Sequence, residues 1–459
     1  MTGKWSSPEG LIGDPLYPRL KQHVVGSTGL TYYEDKDVDF AQRVNRRLSN
    51  LRIDDCTSYL NILRDSVRGP SELDELVAEI TIGETYFYRH REHFDALRDI
   101  VLPDVIARNR ASPAIRIWCA GCADGAEPYT LALLLKREMD YQLQGWEVDV
   151  LGTDINRHAL ARARQGIFEE WALRSTSEDV KRACFSRQGK RWQLAPEYKA
   201  RVSFQYHNLV QDSFPSLLNN LSSFDLILCR NVMIYFGPDL MQRLVRQFQE
   251  SLVPGGWLLV GPTEPNMTYF TSFHTVNAPG VTLYQKPKRA FPLPVPLASM
   301  TIPAIPAPSA ALPASSPTST PAAEPAGLTL ADARRYADRG AWESANRCCE
   351  ELLKKDNLTS VVHFYHALVL EQLRRHAEAE RSLRRAIYLD RQAVLPHYYL
   401  GLFLQSKGDL RLAARSFENA TDLLAQRGDT ERFPDADGIT TAELRRLAAM
   451  HLEILRERV

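Results

Sequence analysis

Residues 116–129 read Arg-Ile-Trp-Cys-Ala-Gly-Cys-Ala-Asp-Gly-Ala-Glu-Pro-Tyr, a pattern typical of a strand, a turn and a helix in an α/β domain. An apolar strand runs into a glycine-containing loop, and Pro128 suits the first turn of the helix that follows. About 30 residues further on, a second apolar strand ends at Asp154. An acid at that point can reach a ribose held over the first loop. The two stretches together predict a nucleoside-binding crevice, and hence an enzyme.

The loop differs from a dinucleotide fingerprint. Gly121 and Gly125 are four residues apart, so the spacing is not Gly-x-Gly-x-x-Gly and a site for the pyrophosphate of NAD fits poorly. Glu127 either faces the ligand or simply favours the helix N-terminus electrostatically. Asp154 is either the ribose ligand or an exposed acid in a turn. The loop alone is a weak signal, and its pairing with Asp154 is what favours a ligand site.

Composition excludes several classes of protein. The 459 residues suggest about three domains, and the formal net charge of zero points neither to nucleic acid nor to an anionic membrane. No apolar run reaches the ~18 residues that span a bilayer, so direct membrane insertion is not expected. The seven cysteines are scattered, without metal-ligand spacing, and Cys119-Ala-Gly-Cys122 lacks a thioredoxin-like context. We expect a reduced, soluble, cytoplasmic protein without a metal site.

Four segments separate by composition: a helical domain over 14–80, an α/β domain over 81–288, a linker over 289–327 and an all-α domain over 328–459. Phe40, Val44, Leu48 and Leu51 form one apolar helical stripe in the first segment. In the second segment strands alternate with helices, which predicts a mainly parallel, Rossmann-like sheet with helices on both faces. The predicted strands are Ile115–Cys119, Val148–Thr153, Val202–Tyr206, Phe224–Cys229, Trp257–Gly261 and Val281–Gln285. Residues 166–200 form a predicted small β insertion.

The C-terminal third contains a linker and a repeat. Residues 291–327 hold ten prolines, nine alanines and one charge, which is typical of a semi-extended linker. Beyond it, Ala345, Ala379 and Ala413 recur every 34 residues. A helix–turn–helix period of this length is typical of tetratricopeptide repeats (TPRs), here about three. Residues 441–459 are predicted to form a further helix that caps the array.

At this point the chain resembles a known family, the CheR-type chemoreceptor methyltransferases, over about residues 14–287. The repeat tail behind a proline-rich linker is similar to a branch with WspC-like proteins of surface-sensing pathways. The family uses S-adenosylmethionine (SAM) to methylate glutamate side chains on the cytoplasmic helices of chemoreceptors. The strings that carry the resemblance are Thr81-Ile-Gly-Glu-Thr-Tyr-Phe-Tyr-Arg89, Ala120-Gly-Cys-Ala-Asp-Gly-Ala-Glu-Pro-Tyr-Thr130, Gly152-Thr-Asp-Ile155, Phe224-Asp-Leu-Ile-Leu-Cys-Arg-Asn-Val-Met-Ile-Tyr-Phe236 and Leu252-Val-Pro-Gly-Gly256.

The resemblance implies roles for individual residues. Catalysis is assigned to Arg89 and Tyr235, with Arg89 also flanking the methionine end of the cofactor and Tyr235 near the departing methyl. Glu127 would hold the cofactor's amino group and Asp154 its ribose, while Asn208 and Leu209 would frame the adenine. The remaining implied cofactor-binding residues are Thr85, Gly121, Cys229, Arg230 and Asn231.

The sequence departs from the family pattern at three places. Ala126 stands where the family often has an acid, Gly83 where an asparagine is common, and Gly261-Pro-Thr-Glu264 replaces the usual Gly-His-Ser-Glu. The first two departures affect the expected details of cofactor contact. None of the three removes Arg89 or Tyr235.

Substrate contacts are expected at a basic face. Arg43, Arg46 and Arg47 lie off the apolar stripe of their helix and would guide an acidic receptor helix, or they are simply a solvated basic face. The insertion holds Gly189 as its only glycine in the segment Phe185–Trp192, so no tether to a receptor pentapeptide is expected. The TPR domain is expected to bind a protein that the sequence does not identify. Two alternatives stay open, a methyltransferase for another acceptor and a non-catalytic TPR scaffold.

Overall fold

The computed structural model describes residues 8–288 except 218, 266 and 267, and residues 328–456 except 339, 340 and 434–438. The chain divides into two compact units, Met1–Lys288 and Arg289–Val459. The predicted linker over 289–327 lies outside the described residues.

The first unit contains a helical N-terminal part and an α/β part. A π-helical turn, Leu97–Val101, joins two of its helices, and 3₁₀ turns lie at Thr31–Tyr33, Glu170–Leu173 and Met233–Tyr235. Its helices are α1 (Pro8–Ile12), α2 (Tyr17–Thr28), α3 (Asp37–Leu51), α4 (Cys56–Arg64), α5 (Gly69–Ile80), α6 (Arg91–Ala96), α7 (Leu102–Arg108), α8 (Ala126–Glu138), α9 (Arg157–Gln165), α10 (Glu178–Cys184), α11 (Pro196–Lys199) and α12 (Pro238–Ser251).

The strands of this unit form two sheets. They are β1 (Ala114–Ala120), β2 (Glu147–Asp154), β3 (Ile167–Glu169), β4 (Phe185–Gln188), β5 (Arg191–Leu194), β6 (Val202–Tyr206), β7 (Phe224–Cys229), β8 (Leu252–Val260), β9 (His274–Ala278) and β10 (Val281–Gln285). The large sheet has the order β6-β2-β1-β7-β8-β10-β9. Its first five strands are parallel to one another. Strand β10 pairs antiparallel with β8, and β9 pairs antiparallel with β10. This confirms the predicted Rossmann-like α/β fold.

Burial explains why the central strands were readable from the sequence. Every side chain of β7 is buried, and so are those of β1 from Ile115 onward, because helices cover both faces of the sheet. Strand β9 was not predicted, because it is an edge strand with no buried residue and a weak apolar pattern.

The strand order reverses at β1, which lies between β2 and β7. The last residues of β1 and β2 are level, with Ala120 paired to Thr153, so the loops after both strands emerge side by side. In open α/β sheets, ligands bind at the carboxyl ends of strands at such a switch point. The fold therefore places the glycine-containing loop after β1 and Asp154 at the end of β2 on the same edge of the sheet.

The predicted β insertion is a three-stranded antiparallel sheet of order β3-β5-β4. Phe87 packs edge-on against Phe168 and Phe185, with ring centroids 4.8 and 5.2 Å apart. The backbone N–H of Phe87 also donates to the Ala172 carbonyl at 2.9 Å. The insertion therefore holds the Thr81–Arg89 segment in place.

The second unit is built from helix pairs. Its elements are α13 (Leu330–Asp338), α14 (Trp342–Lys355), α15 (Ser360–Gln372), α16 (His376–Leu389), α17 (Val394–Ser406), α18 (Leu410–Ala425), β11 (Arg432–Phe433), β12 (Ile439–Thr440) and α19 (Thr441–Arg456). The alanines of the 34-residue period are buried in α14, α16 and α18, where paired helices touch, as the repeat prediction requires. His451 of α19 stacks on Phe417 of α18 at 4.9 Å. Within the described residues, no helix combines the length and apolarity needed to cross a membrane.

Candidate active site

A cavity opens at the carboxyl edge of the large sheet. Its walls come from the segment before α3, the Thr81–Arg89 segment, the loops after β1 and β2, and the segments after β6 and β7. Ten of the residues singled out from the sequence line it: Thr85, Arg89, Gly121, Glu127, Asp154, Asn208, Leu209, Arg230, Asn231 and Tyr235. The structure thus brings together residues from five separate stretches of the chain, and their individual roles stay predictions.

Gly121 is required by close approach of the backbone. Its φ is +75°, and a Cβ added there would lie 2.4 Å from Cγ2 of Val232. A side chain at this position is therefore both strained and obstructed. The glycine allows the loop after β1 to lie directly against the segment after β7, and both line the cavity.

Asp154 holds the first loop from the end of β2. Its Oδ2 accepts the N–H of Ala123 at 2.8 Å, and its Oδ1 accepts the N–H of Asn156 at 2.7 Å. Burial raises the pKa of the Asp154 carboxyl, while these backbone donors favour its ionised form. A carboxylate of this kind suits a neutral hydroxyl donor better than a bare cation.

A buried guanidinium lies at the centre of the site. The Arg230 side chain is 2% exposed, and its Nη1 donates to Oε2 of Glu127 at 2.7 Å. Its Nε donates to Nδ1 of His93 at 3.1 Å, and its Nη2 donates to the carbonyl of Arg89. Burial and the neighbouring guanidinium lower the pKa of His93 to about 3, so the imidazole is neutral and accepts the bond. Arg230 therefore fixes both Glu127 and the backbone of Arg89.

The N-terminal helical part contributes a wall that the sequence did not reveal. The Thr31 hydroxyl donates to the carbonyl of Tyr235 at 3.1 Å, and Nδ2 of Asn208 donates to the carbonyl of Ser27 at 2.9 Å. The ring of Tyr32 packs edge-on against Tyr235 with centroids 5.6 Å apart. Only the long-range fold brings these residues to the site, since they lie about 200 positions before Tyr235.

Glu264 anchors the segment that carries Tyr235. Its Oε1 accepts backbone N–H groups from Val232 and Met233 at 2.8 and 2.9 Å and more weakly from Ile234 at 3.4 Å. Its Oε2 accepts the N–H of Asn231 at 2.9 Å. Burial raises the pKa of Glu264, and the backbone donors offset part of that effect. In the sequence this glutamate stands out only as part of a departure from the family string, and its anchoring position was not predicted.

Four residues chosen from the sequence are not at the cavity. Cys229 is fully buried among the residues that pack under α12, because the alternation of β7 directs its side chain into the core. Arg46 and Arg47 pair with acids of α5, and Arg43 pairs with Asp39 of its own helix, so the three do not form a free basic face. Arg47 is the strongest case, since it donates two bonds to Glu72 at 2.9 and 3.0 Å.

The other two arginines have similar partners. Arg43 donates to the carbonyl of Glu79 at 2.6 Å, and Arg46 lies 3.3 Å from the carboxylate of the same residue. Glu72 and Glu79 lie 25 to 36 residues after these arginines, which hid the pairing from sequence periodicity. A basic guiding face made of all three arginines does not match this arrangement.

The thiols near the cavity are buried. Cys119 and Cys122 are buried, and burial raises the pKa of each well above its usual range. A thiol reacts through its thiolate, so these surroundings disfavour reaction at either sulfur.

Two buried polar atoms at the cavity lack partners among the described residues. These are Oδ1 of Asn231 and Nε2 of His207. Buried polar atoms are normally satisfied, so both indicate a polar ligand. Burial lowers the pKa of His207 to about 3, so its ring is neutral and suits an uncharged partner such as a nucleobase.

The sheet order, the cavity at the switch point and the carboxylates of Glu127 and Asp154 are together typical of a nucleoside-binding protein of the Rossmann-like class. A family model described as the SAM binding domain of CheR methyltransferase matches residues 83–280. The chemotaxis protein methyltransferase of Borreliella burgdorferi is 34% identical over 249 residues, which cover 54% of this chain and 86% of that protein. Chemotaxis protein methyltransferase 1 of Vibrio cholerae is 31% identical, over 59% of this chain and 96% of its own length. The chain belongs to the CheR methyltransferase family and is a SAM-dependent methyltransferase.

Solved structures similar to the chain match a smaller part of it. The type III secretion translocator chaperone SycD of Yersinia enterocolitica has 17% identity and a TM-score of 0.25, covering 28% of this chain and 81% of its own. The Arabidopsis OM64 TPR domain has 17% identity and a TM-score of 0.23, covering 28% and 93%.

The cavity fits SAM on its own geometry. The carboxylates of Asp154 and Glu127 line the cavity and suit hydroxyl and ammonium groups. Oδ1 of Asn231 and Nε2 of His207 have no hydrogen-bond partner among the described residues and suit polar groups of a ligand. Gly121 lets the loop after β1 pack against Val232, which also lines the cavity. We propose Thr85, Arg89, Asn208, Leu209 and Arg230 as further residues of the cofactor site, with Arg230 acting mainly through Glu127.

The anchoring position of Glu264 leads to a prediction. Replacing Glu264 with Gln keeps the shape but removes the charge and part of the acceptor capacity for several backbone N–H groups. Bonds to a charged group contribute about 1.5–3 kcal/mol, so we expect a roughly tenfold to hundredfold loss in kcat. The kcat of each variant is measured in a steady-state methyl-transfer assay.

The matched control is Glu197→Gln, which changes an exposed glutamate on α11 of the same unit. Thermal melting of both variants separates a displaced segment from global unfolding. A Glu264→Gln enzyme with unchanged kcat would contradict the anchoring role.

Proposed function

We propose that the chain methylates glutamate side chains on the cytoplasmic domain of chemoreceptor-like proteins, giving methyl esters that adjust adaptation in a chemosensory pathway. The observation that carries this proposal is the placement of Arg89 and Tyr235 at one cavity with Glu127 and Asp154. The relatives are named chemotaxis protein methyltransferases, which supports a role in a chemosensory pathway. We also propose the segment boundaries given from the sequence as the domain boundaries.

The reaction places few demands on the protein. SAM supplies an electrophilic methyl group: a glutamate oxygen bonds to the methyl carbon while the C–S bond breaks and its electron pair stays on sulfur. The acceptor carboxylate is already ionised at pH 7, so no general base is needed. The chain's residues therefore have to align the acceptor and exclude water.

Tyr235 and Arg89 suit alignment of a carboxylate. Burial raises the pKa of Tyr235, with Arg89 partly offsetting it, so the hydroxyl stays protonated and donates. The Arg89 guanidinium already donates to the Glu84 carbonyl, which leaves its other N–H groups for the acceptor. A single contact from each residue orients the carboxylate without greatly reducing its nucleophilicity.

The β insertion supports action without a pentapeptide tether. Its hairpin between β4 and β5 has a two-residue turn, with Gly189 at φ +61°. A turn this short offers little backbone for an added peptide strand. We propose that receptors are bound without this contact.

The TPR unit offers a groove for a protein partner. Helices α16 and α18 flank it and α17 forms its floor. Arg384, Arg391 and Arg415 line the groove, while Tyr388 and Leu412 are exposed beside it. We propose that an acidic segment with apolar side chains binds there and anchors the enzyme near its receptors, raising its effective concentration. Self-association through this unit is the alternative.

We expect the full chain to transfer label from SAM to receptor cytoplasmic fragments as a base-labile glutamate ester. Arg89→Ala is expected to lower turnover by about 100-fold and Tyr235→Phe by about tenfold, because each loses a donor that aligns the acceptor. Tyr141→Phe, an exposed tyrosine elsewhere in the unit, is the control. Turnover within threefold of wild type for both test variants would overturn the assignment, and label only on other acceptors would favour a different substrate class.

A synthetic receptor C-terminal pentapeptide is expected to give no binding heat with the full chain by calorimetry. S-adenosylhomocysteine in the same cell is the positive control, since it shares the cofactor cavity. A micromolar complex with the peptide would refute tether-free binding.

For the groove, Arg391→Glu combined with Arg415→Glu is expected to slow methylation of receptor-bearing membranes by roughly tenfold, because anchoring is lost. The rate on free receptor fragments should not change. Arg411→Glu, on α18 but outside the groove, is the control. Equal rates on membranes, together with a change in oligomeric state by light scattering, would favour self-association.

A further inference from the structure

The acceptor must lie on the rim of the cavity. A target glutamate reaches the methyl only if the polypeptide on either side of it covers the surface around the opening. Ile82 and Glu84 line one side, and Tyr235 lies on another next to the exposed Ile234. Whatever surface recognises the acceptor is therefore continuous with these residues.

The basic face expected from the sequence is not available for this role in full. The Arg47 side chain is 12% exposed and bonded to Glu72, and Arg43 and Arg46 also have partners on α5. Breaking a nearly buried pair such as Arg47–Glu72 leaves an uncompensated charge. Recognition at the rim requires a different set of side chains.

Such a set adjoins the rim on the side of the β insertion. Trp171 is 68% exposed in the 3₁₀ turn Glu170–Leu173. Arg174 has its Cζ 4.2 Å from the Trp171 ring and 3.5 Å from the ring of Tyr86. Its Nη2 lies 3.3 Å from the carboxylate of Glu84, which lines the cavity. We call Ile82, Tyr86, Arg89, Trp171 and Arg174 the rim patch.

The rim patch is ordered before any partner arrives. The guanidinium of Arg174 lies against two aromatic rings, and its Nη1 donates to the Trp171 carbonyl at 2.8 Å. The N–H of Phe87 ties the neighbouring strand to Ala172. A pre-ordered aromatic loses little conformational entropy on binding, which is why tryptophan and arginine dominate many interfaces.

The patch is chemically selective as well as exposed. Trp171 and Ile82 offer apolar area and Arg89 offers a guanidinium group, while the guanidinium of Arg174 is 21% exposed, is already paired with Glu84 and mainly positions the Trp171 ring. The indole N–H of Trp171 donates to no group in the described part of the chain, so it is available to an acceptor. An apolar surface with cationic groups at its edge fits an amphipathic helix whose polar side is acidic.

We propose that the rim patch is the surface that docks the helix carrying the target glutamate, with Trp171 inserted against the apolar face of that helix. This proposal rests on the proposed function, because it takes an acidic helical segment of a receptor-like protein as the acceptor. It adds a specificity-determining surface built on the β insertion, away from the α3 arginines.

The test uses the full chain with receptor cytoplasmic fragments. Trp171→Ala and Arg174→Ala are expected to raise KM for the fragment about tenfold or more. At saturating fragment, kcat should stay within twofold, and KM for SAM should not change, because neither residue lines the cofactor cavity. Tyr141→Ala is the matched control, since Tyr141 is 93% exposed and lies between α8 and β2, at the opposite edge of the sheet.

Three outcomes overturn the proposal. Fragment KM within twofold of wild type in both variants shows that the patch does not dock the acceptor. A loss of S-adenosylhomocysteine affinity in Trp171→Ala shows a structural role instead. An equal rise in KM with Tyr141→Ala shows a non-specific surface effect. Wild-type enzyme that fails to label receptor fragments at all refutes the proposed function, and this result is distinguishable from the other three.

Discussion

The ion pair between Arg230 and Glu127 is the interaction on which the site depends. Both side chains are largely withdrawn from water, so neither tolerates loss of the other. The same guanidinium binds His93 and the carbonyl of Arg89. One buried charge therefore holds Glu127, which we propose for the cofactor, and the backbone of Arg89, which we propose for the acceptor, in a fixed relation, as a reaction governed by alignment requires.

A second set of constraints comes from carboxylates that accept backbone N–H groups. Asp154 holds the loop after β1, and Glu264 holds the segment after β7. Each loop follows a parallel strand, so the rigid sheet sets its position and a buried acid sets its conformation. The walls of the cavity are thereby pre-organised, and little ordering remains to be done when ligands bind.

The sequence predicted most of the fold but only part of the site. Strands such as β1 and β7 were predictable because burial on both faces makes them continuously apolar, whereas β9 has no buried residue and gave little signal. Motif strings located most of the cavity lining. They did not reveal Tyr32, which only the tertiary fold brings to Tyr235, nor the α5 acids that engage Arg47. Such pairings depend on contacts between distant segments, and periodicity within one helix contains no information about them.

The burial of the cysteines affects the sensitivity of the enzyme to oxidants. All seven thiols are buried, and those of Cys119, Cys122 and Cys229 are held in the protonated state by their surroundings. Peroxides attack thiolates, so sulfenic acid formation at these positions is suppressed. Exposure to peroxide should therefore leave the thiols beside the cavity, and the packing of its walls, unchanged.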